Sequence, residues 1–592
     1  GVYNISNVRF GGWSRPQGMA ATRLNAIPTA PPPVSERPSC RISIINTNKP
    51  GRSAQILTRQ GTAKTIPCLE LGAHVFGVHK QTAARTIPTI VWQPALRPAL
   101  PCVYGPVEFR EFRDQLVTID RMVVAGGVES AFIQQALAES QAENPAAWEA
   151  AGAKELQRFA RQSVLALRCN VARLITGLSF REFAIRAAES SLLQWFLRIE
   201  EVDMIRVPGK SALERFSKWV SEETMTQIQG KLVSQASAPA AAGAPQPLNL
   251  IEPVDVSEAF LDATCLKANI HFPVDWVLLR DVARTLMKAT VLIRREGLKQ
   301  RMPQEPLSFL SDMNKLAMAM SAGTRRPDAK KARKRTLRQM KALEKKIARH
   351  ARAHRDLLDA HWAQTKLSRK QADAIIGRID HVLTQLPAAI KQAHERIIGE
   401  RVVPNADKIL SLYEGEVEVL KRGKAGADVE FGNKLWLAET REGVIIDYAL
   451  LEKSQADTAL VLPSVQRMRD EMKLEVGQVW GDRGLFSAAN EKGLAKRDMK
   501  SGLCPRDPAE LQRRLAGDGD FRAGLKRRGS GTEARIAIFK QSFAGDPCRA
   551  KGFAARKLAV GWAVLAHNLW VLARLKLKQE RVAAEAAQAK AA

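Results

Sequence analysis

Ala259-Phe-Leu-Asp-Ala-Thr-Cys-Leu-Lys-Ala-Asn-Ile-His-Phe-Pro273 is the stretch on which the reading of this chain turns. Apolar residues flank Asp262 on both sides, which predicts a β-strand carrying the acid within it or at its end. A carboxylate on a buried strand is costly unless something positive meets it. Of the 61 acidic residues, Asp262 is therefore the first that solubility does not explain.

Two further acids stand in comparable settings. Asp482 lies in Gly481-Asp-Arg-Gly484, directly after Val476-Gly-Gln-Val-Trp480, a second strand candidate. The flanking glycines permit a sharp turn and leave room beside the acid. Glu533 lies in Thr532-Glu-Ala-Arg-Ile-Ala-Ile-Phe-Lys540. Gly529, Ser530 and Gly531 are expected to break the chain before it, and Thr532 to cap a new helix. On that helix Glu533, Ile536, Ala537 and Lys540 share a face. Between Asp262 and Asp482, residues 416–420, 433–437 and 444–448 read as strands, followed by a helix over 456–472. The order strand, helical insertion, strands, helix, strand, helix predicts an α/β fold with a mixed sheet and helices packed on it.

The insertion has its own signature. Residues 325–355 contain 14 basic and 2 acidic positions, a net of +12. Met340, Leu343, Ile347, His350, His354, Leu357 and His361 alternate steps of three and four. After a break near Ser368 the rhythm resumes through Ala372, Ile376, Ile379, Leu383, Leu386, Ile390, Ala393 and Ile397. This predicts an antiparallel helical hairpin with a coiled-coil seam, inserted over about 278–400 and kinked at Pro387. His350 and His354, four apart, are either metal ligands or seam residues. The basic outer face is either a phosphate-binding surface or a solvated one.

Upstream, residues 107–233 read as helices. Ser179-x-x-Glu182 and Ser211-x-x-Glu214 match capping boxes, and Pro208-Gly-Lys-Ser211 reads as a helix start. Arg181, Arg186, Lys210, Arg215 and Lys218 suit either a DNA-binding helical unit or a bundle with a solvated basic face. Residues 234–250, rich in alanine and proline, predict a linker. The extension 1–106, with Pro31-Pro-Pro33 and no sustained period, is read as irregular chain. It opens on Gly1, with Met19 and Met122 its first methionines, so it is read as non-native or upstream-translated and given no function. The stretch 553–577 carries Arg556, Lys557, His567, Asn568 and Arg574, which predicts a buried amphipathic helix rather than a membrane span. A basic tail, 578–592, follows.

The chain has 592 residues, 26% charged and 45% hydrophobic, which excludes wholesale disorder. Its net charge of +30 makes a polyanion the first partner to consider. Seven cysteines without a CxxC pair exclude the common zinc-ribbon spacings and argue against a disulfide scaffold, which fits a reducing cytosol.

Five pieces in order, 262–273, Glu430-Phe-Gly-Asn-Lys-Leu-Trp-Leu437, Gly481-Asp-Arg-Gly484, 532–540 and Ala563-Val-Leu-Ala-His-Asn-Leu569, resemble bacterial insertion-sequence transposases of the DDE type, the ISNCY-like group in particular. The resemblance spans about 107–577. It implies an RNase H-like catalytic domain over 251–577, preceded by an all-α DNA-binding domain. It further implies that Asp262, Asp482 and Glu533 form a catalytic, metal-binding triad for two Mg2+ (or Mn2+) ions. The substrate would be double-stranded DNA, at the element's terminal repeats and at the target. The protein would act as a homodimer, in the bacterial cytoplasm at the nucleoid. Many relatives place a tyrosine and an arginine seven and four residues before the glutamate and a lysine seven after. Here those positions hold Lys526, Gly529 and Lys540, with Arg528 one residue from the arginine position.

The chemistry requires such groups. Clustered carboxylates repel until divalent cations neutralise them, and paired cations stabilise both the attacking and leaving oxygens of a phosphodiester. Lys540, Arg483, Arg535, Arg528 and Lys434 are the candidate phosphate contacts, and Asn433 is weighed between DNA contact and strand pairing. Two other readings stay open: a catalytically silent DNA-binding descendant of such an element, and a nuclease acting on RNA or a hybrid.

Overall fold

The computed structural model describes residues 99–591 except 201–203, 323–327 and 425–426. The expectation for the extension lies outside the described residues as far as residue 98. Helix begins at Val107.

A six-stranded mixed sheet forms the centre: β1 (Glu258–Lys267), β2 (Glu418–Lys424), β3 (Ala427–Glu439), β4 (Ile445–Leu450), β5 (Gln478–Gly481) and β6 (Lys500–Leu503). β1 lies between β3, antiparallel with Asp262 opposite Leu437, and β5, parallel with Phe260 opposite Trp480. β6 continues parallel beyond β5. On the far side of β3, its first half pairs with β2 and its second half with β4, both antiparallel. β6 is an addition to the expected strands.

The motif around residues 563–569 belongs to helix Phe553–Ala591, whose Trp562, Leu565, Leu569 and Leu572 are buried. This helix is long and apolar enough to cross a membrane, yet 67% of its most apolar window is buried inside the protein. Asn568 treats β4 as a neighbouring strand would. Its Nδ2 donates to the Ile445 carbonyl at 2.8 Å and its Oδ1 accepts from the Ile445 amide at 2.9 Å. His567 sits edge-on to Phe539 and Phe543, and burial pushes its pKa down to about 4, so it is a neutral core residue. Asn433 is buried and structural, donating to the carbonyls of Glu416 and Leu451.

The N-terminal helices are not set apart by a linker. Leu116, Phe132, Leu167, Phe196 and Leu232 share one continuous core with Trp436 of β3 and Trp562. Residues 234–250 fold back on themselves: the Gln246 side chain donates to the Gln235 carbonyl and accepts from the amides of Leu248 and Leu250. An internal ion network braces this layer, with Arg168 buried against Glu129 and Asp120. The Ser179 capping box forms as expected. Helix Lys210–Phe216, however, starts one residue before Ser211 with Gly209 as its cap, and Glu214 pairs with Lys210 instead.

The insertion is a four-helix unit rather than a hairpin: Asp275–Arg295, Pro306–Ser321, Ala329–His361 and Arg369–Ala393 enclose a separate core. Pro387 lies inside the last of these helices, which continues to Ala393. Because helix Ala329–His361 meets all three others, its buried stripe is broader than a two-helix seam and includes Leu337, Met340, Glu344, Ile347, Ala351, His354 and Leu358. Glu344 therefore sits in the core with neither carboxylate oxygen hydrogen-bonded among the described residues, and burial raises its pKa well above the ordinary value. His354 bonds to the His350 carbonyl and to the Gln300 amide, the satisfied-core alternative for this pair. The unit is clamped at its base. Gln392 Nε2 donates to Asp275 Oδ1 (2.9 Å) and to the Ile409 carbonyl (3.1 Å), and Arg396 also pairs with Asp275.

Candidate active site

Two of the three expected acids come together at the edge between β1 and β5. Asp262 is carried by the central strand, and Asp482 follows the last residue of the parallel neighbour. The Asp482 turn is fixed by its own side chain, whose Oδ1 accepts from the Gly484 amide at 2.9 Å. A Cβ at 484 would stand 3.0 Å from that oxygen, so glycine suits the place.

The third acid arrives on a helical run that packs across the same face. Trp480 anchors it. The indole stacks on Phe260, meets Phe521 at a tilt and donates to Glu258. It lies so close to the backbone that a Cβ at Gly502 or Gly524 would fall within 2.3 Å of its ring. Helix Gly519–Arg527 is thereby held against β5 and β6.

The helix does not stop where the glycines predict. Residues Arg528–Thr532 form a π-turn that runs straight into Glu533–Ile538, followed by a second π-turn, Phe539–Ala544. Glycines penalise a helix by roughly 1 kcal/mol each, which tertiary anchoring on both sides overcomes here. The register consequence is direct. In an α-turn residues four apart stack, whereas in a π-turn residues five apart do. Arg528, five before Glu533, thus takes the place that a residue four before would hold in regular helix.

Arg528 is the centre of the cluster. Its Nη2 lies 3.0 Å from Asp262 Oδ2 and 3.6 Å from Asp482 Oδ2, with the side chain 11% exposed. Asp262 is pushed up to about 6, first by burial; Arg528 and the Ala263 amide pull it down, and the charges of Asp482 and Glu533 push it up. Glu533 is therefore close enough to be felt at Asp262, but its side chain is exposed to solvent. Among the described residues, no three acidic, histidine or cysteine side chains gather as a metal-holding group.

The other assigned cations fall in unequal places. Arg535 pairs with Glu439 at 3.2 Å and donates to the carbonyls of Thr440 and Arg441. Lys434 pairs with Asp457 at 2.6 Å and donates to the Gln455 carbonyl. Lys540 is buried with its Nζ 3.5 Å from Thr264 Oγ1, two residues along β1 from Asp262 and so on the same side of that strand. Arg483 alone of the five stands exposed with no ion-pair partner among the described residues. Glu439 is a carboxylate that sequence reasoning missed. Burial pushes it up to about 7, with Arg535 pulling down and Asp262 pushing up. Its signal was the register of β3, legible only once Phe260 is placed opposite it.

A second basic feature lies on the insertion. Arg335, Arg338, Lys345, Arg349 and Arg352 recur at steps that place them on one exposed face of helix Ala329–His361. None forms an ion pair with a described residue. The stripe is ~26 Å long at 1.5 Å per residue. Compared with known proteins, the chain matches no family model, no curated protein and no solved structure.

Proposed function

We propose that the chain is a DDE-type transposase that cuts double-stranded DNA at the ends of an insertion element and joins those ends to a target. The observation that carries this reading is the convergence of Asp262 and Asp482, far apart in sequence, on one guanidinium at 3.0 and 3.6 Å. The strand order supports it too. Three antiparallel strands, β4, β3 and β1, followed by the parallel β5 and β6, are the arrangement expected of an RNase H-like sheet, with acids on the first strand and after its parallel neighbour. The net charge of +30 and the unpaired stripe suit a polyanionic duplex.

Asp262 and Asp482 already share a positive group, and their hard oxygen atoms fit Mg2+ or Mn2+. These two residues would hold the ions, with Glu533 approaching from its helix. Bound there, the ions supply activation of the attacking oxygen and stabilisation of the leaving one. The chain's own residues position the substrate: Arg483, beside Asp482, contacts a phosphate near the cut, and the insertion stripe holds the duplex at a distance. Two ends must be held together, so the DNA complex is a homodimer, formed in the bacterial cytoplasm at the nucleoid.

The test is strand cleavage with Mg2+ on duplex carrying the sequences that flank the chain's own coding region. Wild-type protein is expected to nick and join. Asp262→Asn should reduce cleavage by roughly a thousandfold or more, as for losing several kcal/mol of charge stabilisation, while DNA binding persists. Cleavage retained by Asp262→Asn sinks the assignment. A catalytically silent DNA-binding protein is the second reading, favoured by the guanidinium standing between the two acids. It predicts DNA binding with no nicking by either protein.

A further inference from the structure

We infer that Arg528 is the resident counter-ion of the Asp262–Asp482 pair, so that a divalent cation reaches these carboxylates only by displacing its guanidinium, which then turns to the DNA. The inference rests on the transposase reading for its physiological meaning, but the competition itself is a property of these three side chains.

Three independent observations converge. The first is register. The π-turn Arg528–Thr532 brings this arginine, rather than Gly529, onto the face of Glu533, and so aims a cation at the acids. The second is contact. One nitrogen, Nη2, lies within ion-pair distance of both carboxylates, on a side chain that is 11% exposed. Two acids brought together without a cation would repel, most strongly at Asp262, whose side chain is 18% exposed against 45% for Asp482, and Arg528 removes that penalty. The third is what the guanidinium leaves unused. Its Nε is buried and has no hydrogen-bond partner among the described residues. A buried unsatisfied donor costs about 1–3 kcal/mol, and the planar fork of arginine matches phosphate oxygens. Arg528 thus holds the acids with one nitrogen while another points at no acceptor, the state expected of a group with a second partner elsewhere.

Competition follows from electrostatics. A divalent cation held by Asp262 and Asp482 would compete with Nη2 for the same two carboxylates, and the two positive groups would repel. The guanidinium must leave as the cation enters. Apparent metal affinity is then lowered by the fraction of molecules in which Arg528 sits between the acids. Removed from the carboxylates, the same side chain becomes a phosphate donor next to the site of cleavage. Arg528 is in this sense a positioning residue that couples metal entry to DNA contact.

The experiment is Mn2+ titration of the full chain, followed by calorimetry and by thermal unfolding with and without Mn2+, in the absence of DNA. Arg528→Gln is expected to bind Mn2+ about tenfold more tightly than wild type, the gain for freeing a site closed nine times in ten. Without metal it should unfold at a lower temperature, and it should regain more on adding Mn2+. Arg528→Lys, which keeps the charge, should bind Mn2+ close to wild type and guards against misfolding of the glutamine variant. The gain should vanish in Arg528→Gln combined with Asp262→Asn. Equal affinity in wild type and Arg528→Gln overturns the inference while leaving metal-dependent cleavage intact. Tightening by Arg528→Lys equal to that of Arg528→Gln also overturns it, since charge would not be the cause. No Mn2+ binding by any of these proteins overturns both the inference and the metal-dependent reading.

Discussion

At the acid cleft, Arg528, Arg535 and Lys434 each meet a carboxylate within 3.2 Å. Along the insertion helix, Arg335, Arg338, Lys345, Arg349 and Arg352 meet none among the described residues. Both regions are rich in cations, yet they handle them in opposite ways. Where the cleft is buried, low dielectric makes an unpaired charge expensive, so Arg528 and Arg535 are matched to acids there, while Arg483 and Glu533 lie at the solvent side. On the solvent face of the helix an unpaired arginine is well hydrated, so it stands without an acid at little cost. The net charge of the chain therefore does not describe either place.

The largest expected effect comes from breaking the free side of this contrast. Replacing Arg338, Lys345, Arg349 and Arg352 by alanine should flatten the dependence of log K on log salt for duplex DNA by about 3–4, close to one unit for each lost phosphate contact. Fluorescence anisotropy across a salt series measures this. An unchanged slope would mean that the stripe is merely solvated. Folding should barely alter, because these side chains make no internal pairs.

A middle-sized effect tests a buried carboxyl with no hydrogen-bond partner among the described residues. Glu344→Met should stabilise the insertion by about 1–3 kcal/mol near neutral pH, since it removes an unsatisfied carboxyl from the core. The pH dependence has a definite sign. The pKa of Glu344 is raised in the fold, so its neutral form favours the folded state below the ordinary carboxylate range, and that contribution is lost as pH rises through the raised value. The stability gap between variant and wild type, read from urea midpoints, should accordingly widen from pH 5 to pH 8. A constant gap contradicts the assignment.

The smallest effect belongs to a matched pair at the rim. Lys434→Met breaks the ion pair with Asp457, whose carboxylate is 39% exposed. The expected cost is no more than about 1 kcal/mol by chemical unfolding, with DNA affinity unchanged. A large loss of DNA affinity would restore Lys434 to the phosphate contacts.

How much of this was legible in the residues differs by place. The Asp262 and Asp482 strands were readable because a short apolar run that meets a single acid fits little besides a strand delivering a carboxylate to a cleft. The four-helix insertion was half readable: the heptad rhythm located its long helices, but it put Leu343 rather than Glu344 in the core. Periodicity describes one stripe, whereas a helix with three neighbours buries a wider one. The run before Glu533 defies local reading for a physical reason as well. Gly529, Ser530 and Gly531 are breakers by local preference, and the run stays helical because its flanks are packed, Gly524 against the Trp480 ring before it and Phe539 and Phe543 against His567 after it. The same wide turn hid Arg528, whose spacing looked one residue wrong. Lys500–Leu503, the β6 strand, carries too little pattern in four residues to announce itself.

The clamp at the foot of the insertion has a mechanical meaning. Gln392 and Arg396 tie Asp275, the first residue of the arm, to the arm's last helix and, through Ile409, to its exit. Asp275 follows closely on β1, the strand that holds Asp262. A load on the far end of the arm would therefore turn about a clamped base joined directly, through residues 268–274, to the strand that carries Asp262.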